Sequence, residues 1–163
     1  MTTEDDKGQI GPPAERPCDS CPYRRGVPSG IWDRSEYDKM RRYDAATADQ
    51  PTQLWQCHQH DAADPSRRLC AGWVGCHQPH LLAIRIAPFD GRISIATAEA
   101  CERYQSPVEL FASGAEAADH GQRDLGAPGP RARRLIAKIA RARSDLTDPE
   151  SRPDGTRHHD GEV

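Results

Sequence analysis

Ala132, Leu135, Ile136, Ile139 and Ala140 recur at spacings of three and four, and Arg131, Arg133, Arg134, Lys138, Arg141 and Arg143 surround them. That is the period of an α-helix, so residues 131–143 are predicted to form an amphipathic helix with an apolar stripe and a basic remainder. A second helix is expected over residues 33–42, burying Tyr37 and Met40. Asp33 reads as its N-cap, Glu36 as the capping-box partner and Trp32 as a hydrophobic staple on Tyr37. Leu82, Ile84 and Ile86 alternate as in a strand, but Pro79 and Pro88 punctuate the run as they do around a helix. A short helix over residues 81–87 is the reading adopted. The alternative is a short hairpin turning at Asp90-Gly91, with residues 93–96 as the return strand. Residues 97–104 read as helix, broken before Pro107. Ser113 and Glu116 form a capping box that opens a short helix ending at Gly121.

The stretches between these helices are less regular. Residues 43–52 are a turn-rich link, residues 54–57 a short apolar approach of strand type, and residues 60–68 a polar loop. Residues 69–77 are compact and broken by glycine; Gly72 and Gly75 let the backbone come close to an ion. The predicted class is mainly α with irregular loops. Four parts are expected: a disordered arm over residues 1–16, a cysteine-rich domain over 17–127, the basic helix over 128–144, and a disordered tail over 145–163.

Composition changes the picture in one respect. Only 36% of the 163 residues are hydrophobic, and mean hydropathy is −0.84. A chain this polar builds a small core, so something besides apolar burial is expected to staple the domain. The net charge of −3 gives no global attraction to nucleic acid. No apolar run approaches the ~20 residues of a membrane span, and the first residues do not read as a signal peptide. The expected compartment is therefore the cytoplasm, without membrane contact. In a reducing compartment the six cysteines read as ligands or redox groups before disulfides.

Cys18 and Cys21 form a CxxC turn between Pro17 and Pro22. Cys57-His58 follows after thirty-five residues, Cys70 after eleven more, and Cys76-His77 after a further five. A CxxC turn points two thiolates at one ion, and a second pair from elsewhere closes a tetrahedron. Cys57 with Cys70 or Cys76 supplies that pair, Cys70 and Cys76 competing for the last position. His77 is the substitute ligand. His58 and His77 are otherwise expected to donate hydrogen bonds around the site, because neighbours in an extended segment point opposite ways. Three readings stay open: Zn2+ held by four Cys or three Cys and a His, a 4Fe-4S cluster on four thiolates, and a redox pair at Cys18/Cys21. Cys101 lies on a predicted helix far from the rest and reads as a core thiol. His120 reads as a helix-end charge, and His158-His159 as part of the tail.

With these residues in view, the chain resembles an uncharacterised family of cysteine-rich actinobacterial and phage proteins, a domain of unknown function. The resemblance rests on Pro17-Cys18, Cys21-Pro22-Tyr23-Arg24, the Val27 to Trp32 run, Glu36-Tyr37, Cys57-His58-Gln59, Leu69 to Trp73, Cys76-His77 and Phe111 to Ala117. It covers about residues 17–140 and implies membership without an assigned activity. The order of cysteines is also similar to that of zinc- or iron-chelating cysteine-cluster proteins, although the paired Cys-Cys of that group is absent. Cys18 to Arg24 looks locally like the CxxCP segment of WhiB-like iron–sulfur regulators, without the third cysteine just after it.

Three functional readings follow. The first is a zinc-binding module that presents a small fold to an unknown protein partner, with an iron–sulfur redox-sensing or DNA-binding regulator as the alternative. The second is nucleic-acid contact through Arg131, Arg133, Arg134, Lys138, Arg141 and Arg143. The third is an enzyme with an open zinc position and Glu36 or Asp33 as base. No nucleophile elbow, P-loop or dinucleotide fingerprint supports the third, and no catalytic residue is named.

Overall fold

The computed structural model describes residues 8–60 and 64–142. Among them lie six α-helices: α1 (Arg34–Arg42), α2 (Ala71–His77), α3 (Leu82–Ile86), α4 (Ile95–Arg103), α5 (Gly114–Gly121) and α6 (Pro130–Ala142). A single 3-10 turn spans Thr47–Asp49. Extended pairing among the described residues is confined to isolated bridges, Gly11 with Arg68, Arg24 with Leu110 and Gln56 with Leu69. The class is mainly α with irregular loops, as the hydrophobic pattern predicts.

Three helices begin at a side chain that accepts an otherwise orphaned backbone N–H. Cys70 accepts from Trp73, Ser94 from Thr97 and Ser113 from Glu116. Ser94 explains why α4 starts at Ile95, two residues before the predicted start. The hairpin alternative does not form. Residues 82–86 are helical, and Asp90 instead accepts both the backbone N–H and the guanidinium of Arg92 in the turn. The capping box predicted for α1 is also absent. Asp33 makes no side-chain cap and accepts from Ser35, while Glu36 turns to His58 and Lys39. With the Lys39 ammonium at 2.7 Å, Glu36 has a stronger partner than a backbone N–H already facing water.

The core collects side chains from every part of the described chain. Trp73, Tyr23, Tyr37, Met40, Leu69, Leu81 and Ile93 are fully enclosed. Tyr43 joins two of the tryptophans edge-on, with ring centroids 5.8 Å from Trp55 and 5.4 Å from Trp73. Backbone bonds tie remote segments to this core: Ile10 N–H to Arg92 O, Arg25 N–H to Glu109 O, Gly30 N–H to Gly121 O and Phe111 N–H to Tyr23 O. Residues 8–16, predicted as part of a free arm, are thus drawn into the fold through Ile10 and the Gly11 bridge. Their polar composition conceals this, because the pairing is made by backbone groups. Residues 1–7 and 143–163, which carry the rest of the arm, Arg143, His158-His159 and the tail, lie outside the described residues. Among the described residues no helix is long and apolar enough to cross a membrane.

α1 and α5 pack face to face through two glycines. A Cβ on Gly114 would stand 2.1 Å from the Met40 carbonyl oxygen, and one on Gly121 would stand 2.0 Å from the Tyr37 ring. Asp44 holds the start of α5, accepting the N–H of Gly114 at 2.7 Å and of Ala115 at 2.8 Å. A carboxylate at a helix N-terminus also meets the positive end of the helix dipole. α6 lays Ala132 and Ile139 into the core, with Leu135 and Ile136 partly covered.

Gly121→Ala is expected to lower stability by about 1–3 kcal/mol through overpacking against Tyr37. Gly126→Ala, where an added Cβ meets nothing within 4 Å, should change it by less than about 0.5 kcal/mol. Urea unfolding of both variants checks this; equal midpoints would refute the close contact of α5 with Tyr37.

Candidate metal centre

The Cys18–Cys21 segment is a chain of tight turns. Cys21 N–H donates to Cys18 O at 3.0 Å, and Arg24 N–H to Cys21 O at 3.1 Å. Arg24 clamps this loop from outside, its guanidinium reaching Pro17 O and Asp19 at 3.3 Å each. The interior of the loop is held at Ser20, which is almost fully buried. Its carbonyl accepts from the Trp32 indole at 3.0 Å, and its hydroxyl accepts from Gln59 at 2.9 Å. The prolines at 17 and 22 keep the turn from continuing as a helix.

The second half of the site comes from the bridge between Gln56 and Leu69. Cys57 N–H donates to Arg68 O, and Cys70 N–H to Trp55 O, both at 2.8 Å. In that antiparallel register Cys57 stands opposite Arg68, two residues from Cys70 on the facing segment. Residues two apart point the same way, so the two thiols share one face. Cys70 is also the residue that caps α2, which places it at the start of that helix.

The four sulfurs are linked pairwise. Cys57 contacts Cys18, Cys18 contacts Cys21, and Cys21 lies 3.9 Å from Cys70. Cys21 and Cys70 are buried, while Cys18 and Cys57 are half-buried. Gly72 makes the approach possible: a Cβ there would stand 2.3 Å from the Cys21 sulfur and 2.8 Å from Tyr23 Cβ. Backbone N–H groups point at the sulfurs, from Ser20 to Cys18, from Gln59 to Cys57 and from Trp73 to Cys70. Donation from the Cys21 and Cys57 thiols, and then from Ser20, holds the Cys18 thiol well below its ordinary range. Sharing with Cys18 first, and burial after it, pushes Cys21 and Cys57 up. Cys18 is thus readily a thiolate, and Cys21 and Cys57 resist further charge unless a cation compensates it. Among the described residues, no group of three or more His, Cys, Asp or Glu is placed so that it could hold a metal ion as it stands.

The other predicted residues lie elsewhere. Cys76 is outside the thiol chain; burial, and then the nearby Asp44 carboxylate, raise it to about 12. Both ring nitrogens of His77 have neighbours of their own, Nε2 at 3.1 Å from the Tyr23 hydroxyl and Nδ1 at 3.7 Å from Asp44. His58 stacks on Trp32 with centroids 4.4 Å apart. The Trp55 indole donates to its Nδ1 at 3.5 Å, which leaves Nε2 to donate to Glu36 at 3.3 Å. With Lys39 at 2.7 Å as well, Glu36 is lowered to about 2, chiefly by the His58 bond. Cys101 is enclosed on α4 and raised to about 12 by burial. His120 bonds Val27 O at 2.7 Å. Gly75 serves packing and not an ion, since a Cβ there would meet Leu110 and Tyr104. The sequence places Trp32 only as a staple on Tyr37 and Gln59 only within the Cys57-His58-Gln59 motif, and gives Ser20 no role. Ser20 and Gln59 lie within two residues of a cysteine, but the bonds that join Ser20 to Gln59 and Trp32 are remote in sequence.

A family model described as a family of unknown function (DUF6283) matches residues 13–143. No curated protein and no solved structure matches the chain.

Burial, opposed by Asp44, holds His77 down at about 4 instead of its ordinary 6.5. Between those values the unfolded chain binds a proton that the folded chain does not. Stability therefore falls as pH drops from about 6.5 toward about 4, then levels off. His77→Gln should remove that part of the slope, read as the urea midpoint across this range; identical slopes in variant and parent would contradict the burial of a neutral imidazole.

Proposed function

The chain belongs to the DUF6283 family of unknown function, and we propose that it is a metal-binding module whose Cys18, Cys21, Cys57 and Cys70 hold one structural Zn2+. Kinship with metal-chelating cysteine-cluster proteins, an actinobacterial or phage origin and a cytoplasmic setting are part of the same proposal. The observation that carries it is the thiol chain from Cys57 through Cys18 and Cys21 to Cys70. With Zn–S bonds of about 2.3 Å, tetrahedral geometry sets sulfurs about 3.8 Å apart. The 3.9 Å between Cys21 and Cys70 is close to that spacing. Backbone N–H groups aimed at Cys18, Cys57 and Cys70 are the kind of donor that a metal-bound sulfur accepts from.

The 3.9 Å approach of Cys70 to Cys21 supports Cys70 over Cys76 for the last position. His77 is not needed as a substitute. The ion supplies cross-linking: it joins a loop near residue 20 to two segments forty to fifty residues further on. Structural zinc contributes roughly 10–16 kcal/mol in small peptides, against roughly 5–15 kcal/mol of net stability for a typical domain. For a chain of this hydropathy that is the staple the composition calls for. A 4Fe-4S cluster uses the same donors, but it spreads its four cysteines over four irons, farther apart than ligands of one ion. The short Cys21–Cys70 spacing therefore favours a single ion. In this reading the stapled fold serves as a binding or regulatory module.

The full chain, purified without chelator or oxygen, should carry about one zinc and no visible chromophore. Cys57→Ser and Cys70→Ser should lose the metal and the cooperative melt, whereas Cys76→Ser and Cys101→Ser should keep both. Iron with a brown chromophore would replace zinc by the cluster. A Cys70→Ser variant with full metal content would overturn the ligand set.

A further inference from the structure

α6 carries Arg131, Arg133, Arg134, Lys138 and Arg141 and no acidic residue, so thirteen residues hold a charge of +5. The whole chain carries −3, and −3 less +5 leaves −8 on everything else. Five of the 22 Lys and Arg residues therefore stand on one helix with no acidic residue among them. Sequence alone leaves two uses for such a helix, with its apolar stripe serving either the protein's own core or a partner. The structure separates them. Ala132 and Ile139 are buried in the core, and Leu135 and Ile136 pack against it. The apolar stripe is spent inside the protein, and the basic side is the face left to solvent.

At 100° per residue, Arg131, Arg134, Lys138 and Arg141 fall within about 80° of one another, on the side away from the buried stripe. They form a line along the helix axis roughly 15 Å long. All four are exposed. Arg131 donates to the Gly26 carbonyl, which leaves its charge uncompensated. The side chains of Arg133, Arg134, Lys138 and Arg141 make no hydrogen bond or ion pair among the described residues. Successive members of the line are three or four residues apart, the spacing at which like charges repel across a helix. The arrangement thus works against the helix that carries it, where alternating charges would have supported it.

We propose that the exposed face of α6 is a nucleic-acid interface that reads the phosphate backbone without sequence preference, Arg131, Arg134, Lys138 and Arg141 each facing a phosphate. A row of cations along a rod matches a row of phosphates, and guanidinium groups bind phosphate in a fork. An anionic membrane is a poorer fit, because a surface helix needs a free apolar face to enter the lipid, and this one is already buried. The acidic remainder of the protein confines contact to this face and repels the polyanion elsewhere.

The test is fluorescence anisotropy of a labelled 20-base-pair duplex, and of one of its strands, titrated with the full metal-loaded chain. Four phosphate contacts predict a loss of affinity on the order of 100-fold between 50 and 200 mM salt. Combined Arg134→Glu, Lys138→Glu and Arg141→Glu should abolish binding at the lower salt, with metal content and melting temperature unchanged because all three positions are exposed. Arg103→Glu, exposed on α4, should leave binding as it is. No anisotropy change for the parent at 50 mM salt would overturn the proposal. So would equal binding by the triple variant, or binding to anionic vesicles alone. Metal content is read separately in every sample, so loss of the zinc reading and loss of this one are distinguishable.

Discussion

The approach of Cys21 to the start of α2 is the contact on which the rest of the architecture depends. It brings the loop near residue 20 onto a helix fifty residues later, and it is sterically possible because residue 72 has no side chain. Around it the largest rings of the protein find their places. Tyr23, two residues from Cys21, meets Trp55 edge-on, and Trp55 flanks the segment that delivers Cys57. Trp73, three residues from Cys70, is wholly buried against Tyr43. A few short-range relations between cysteines and adjacent aromatics thus tie the sulfur chain to the hydrophobic core. The two cannot be rearranged independently.

Charged side chains near this core are used to position elements. Asp44 caps α5 and lies near His77, and Glu36 links α1 to His58. Arg24 braces the first cysteine loop. These are partly buried carboxylates and a guanidinium with several partners each, the condition under which ionic groups contribute structure and not only solubility. α6 differs: its cations lie outside such networks. Positive charge in this protein is divided between braces that hold the fold and a face that, apart from the Arg131 bond to Gly26, makes no side-chain bond to it among the described residues.

The periodic parts of the fold were legible from the sequence. The stripe of α6 and the inward positions of α1 appear where the spacing places them, and Ser113 starts α5 as its chemistry predicts. The misses have specific physical causes. The compact, glycine-broken run over residues 69–77 carries no helix signal, since two glycines in seven residues lower helix propensity; packing requires them in α2, and tertiary contact overrides the local preference. Glu36 was read as a cap, because its partner, His58, is remote in sequence. The cysteine motifs were visible as a set, but the partner of Cys21 was not. Cys70 and Cys76 differ by one and a half helical turns, and only the bridge between Gln56 and Leu69 determines which of them faces the CxxC loop. Spacing along a chain carries no information about a pairing made through the backbones of other residues.

The backbone bonds that close the fold join residue 10 to 92, 23 to 111, 25 to 109 and 30 to 121. Each spans about half of the chain. During synthesis, the first hundred residues therefore emerge before the segments at 109–121 that bond Tyr23, Arg25 and Gly30 and pack on Tyr37. A topology of this kind folds late and slowly after a costly search for distant contacts, and it is exposed to aggregation in the interval. A low apolar content lowers the hazard of that interval, since fewer apolar side chains stand exposed at once.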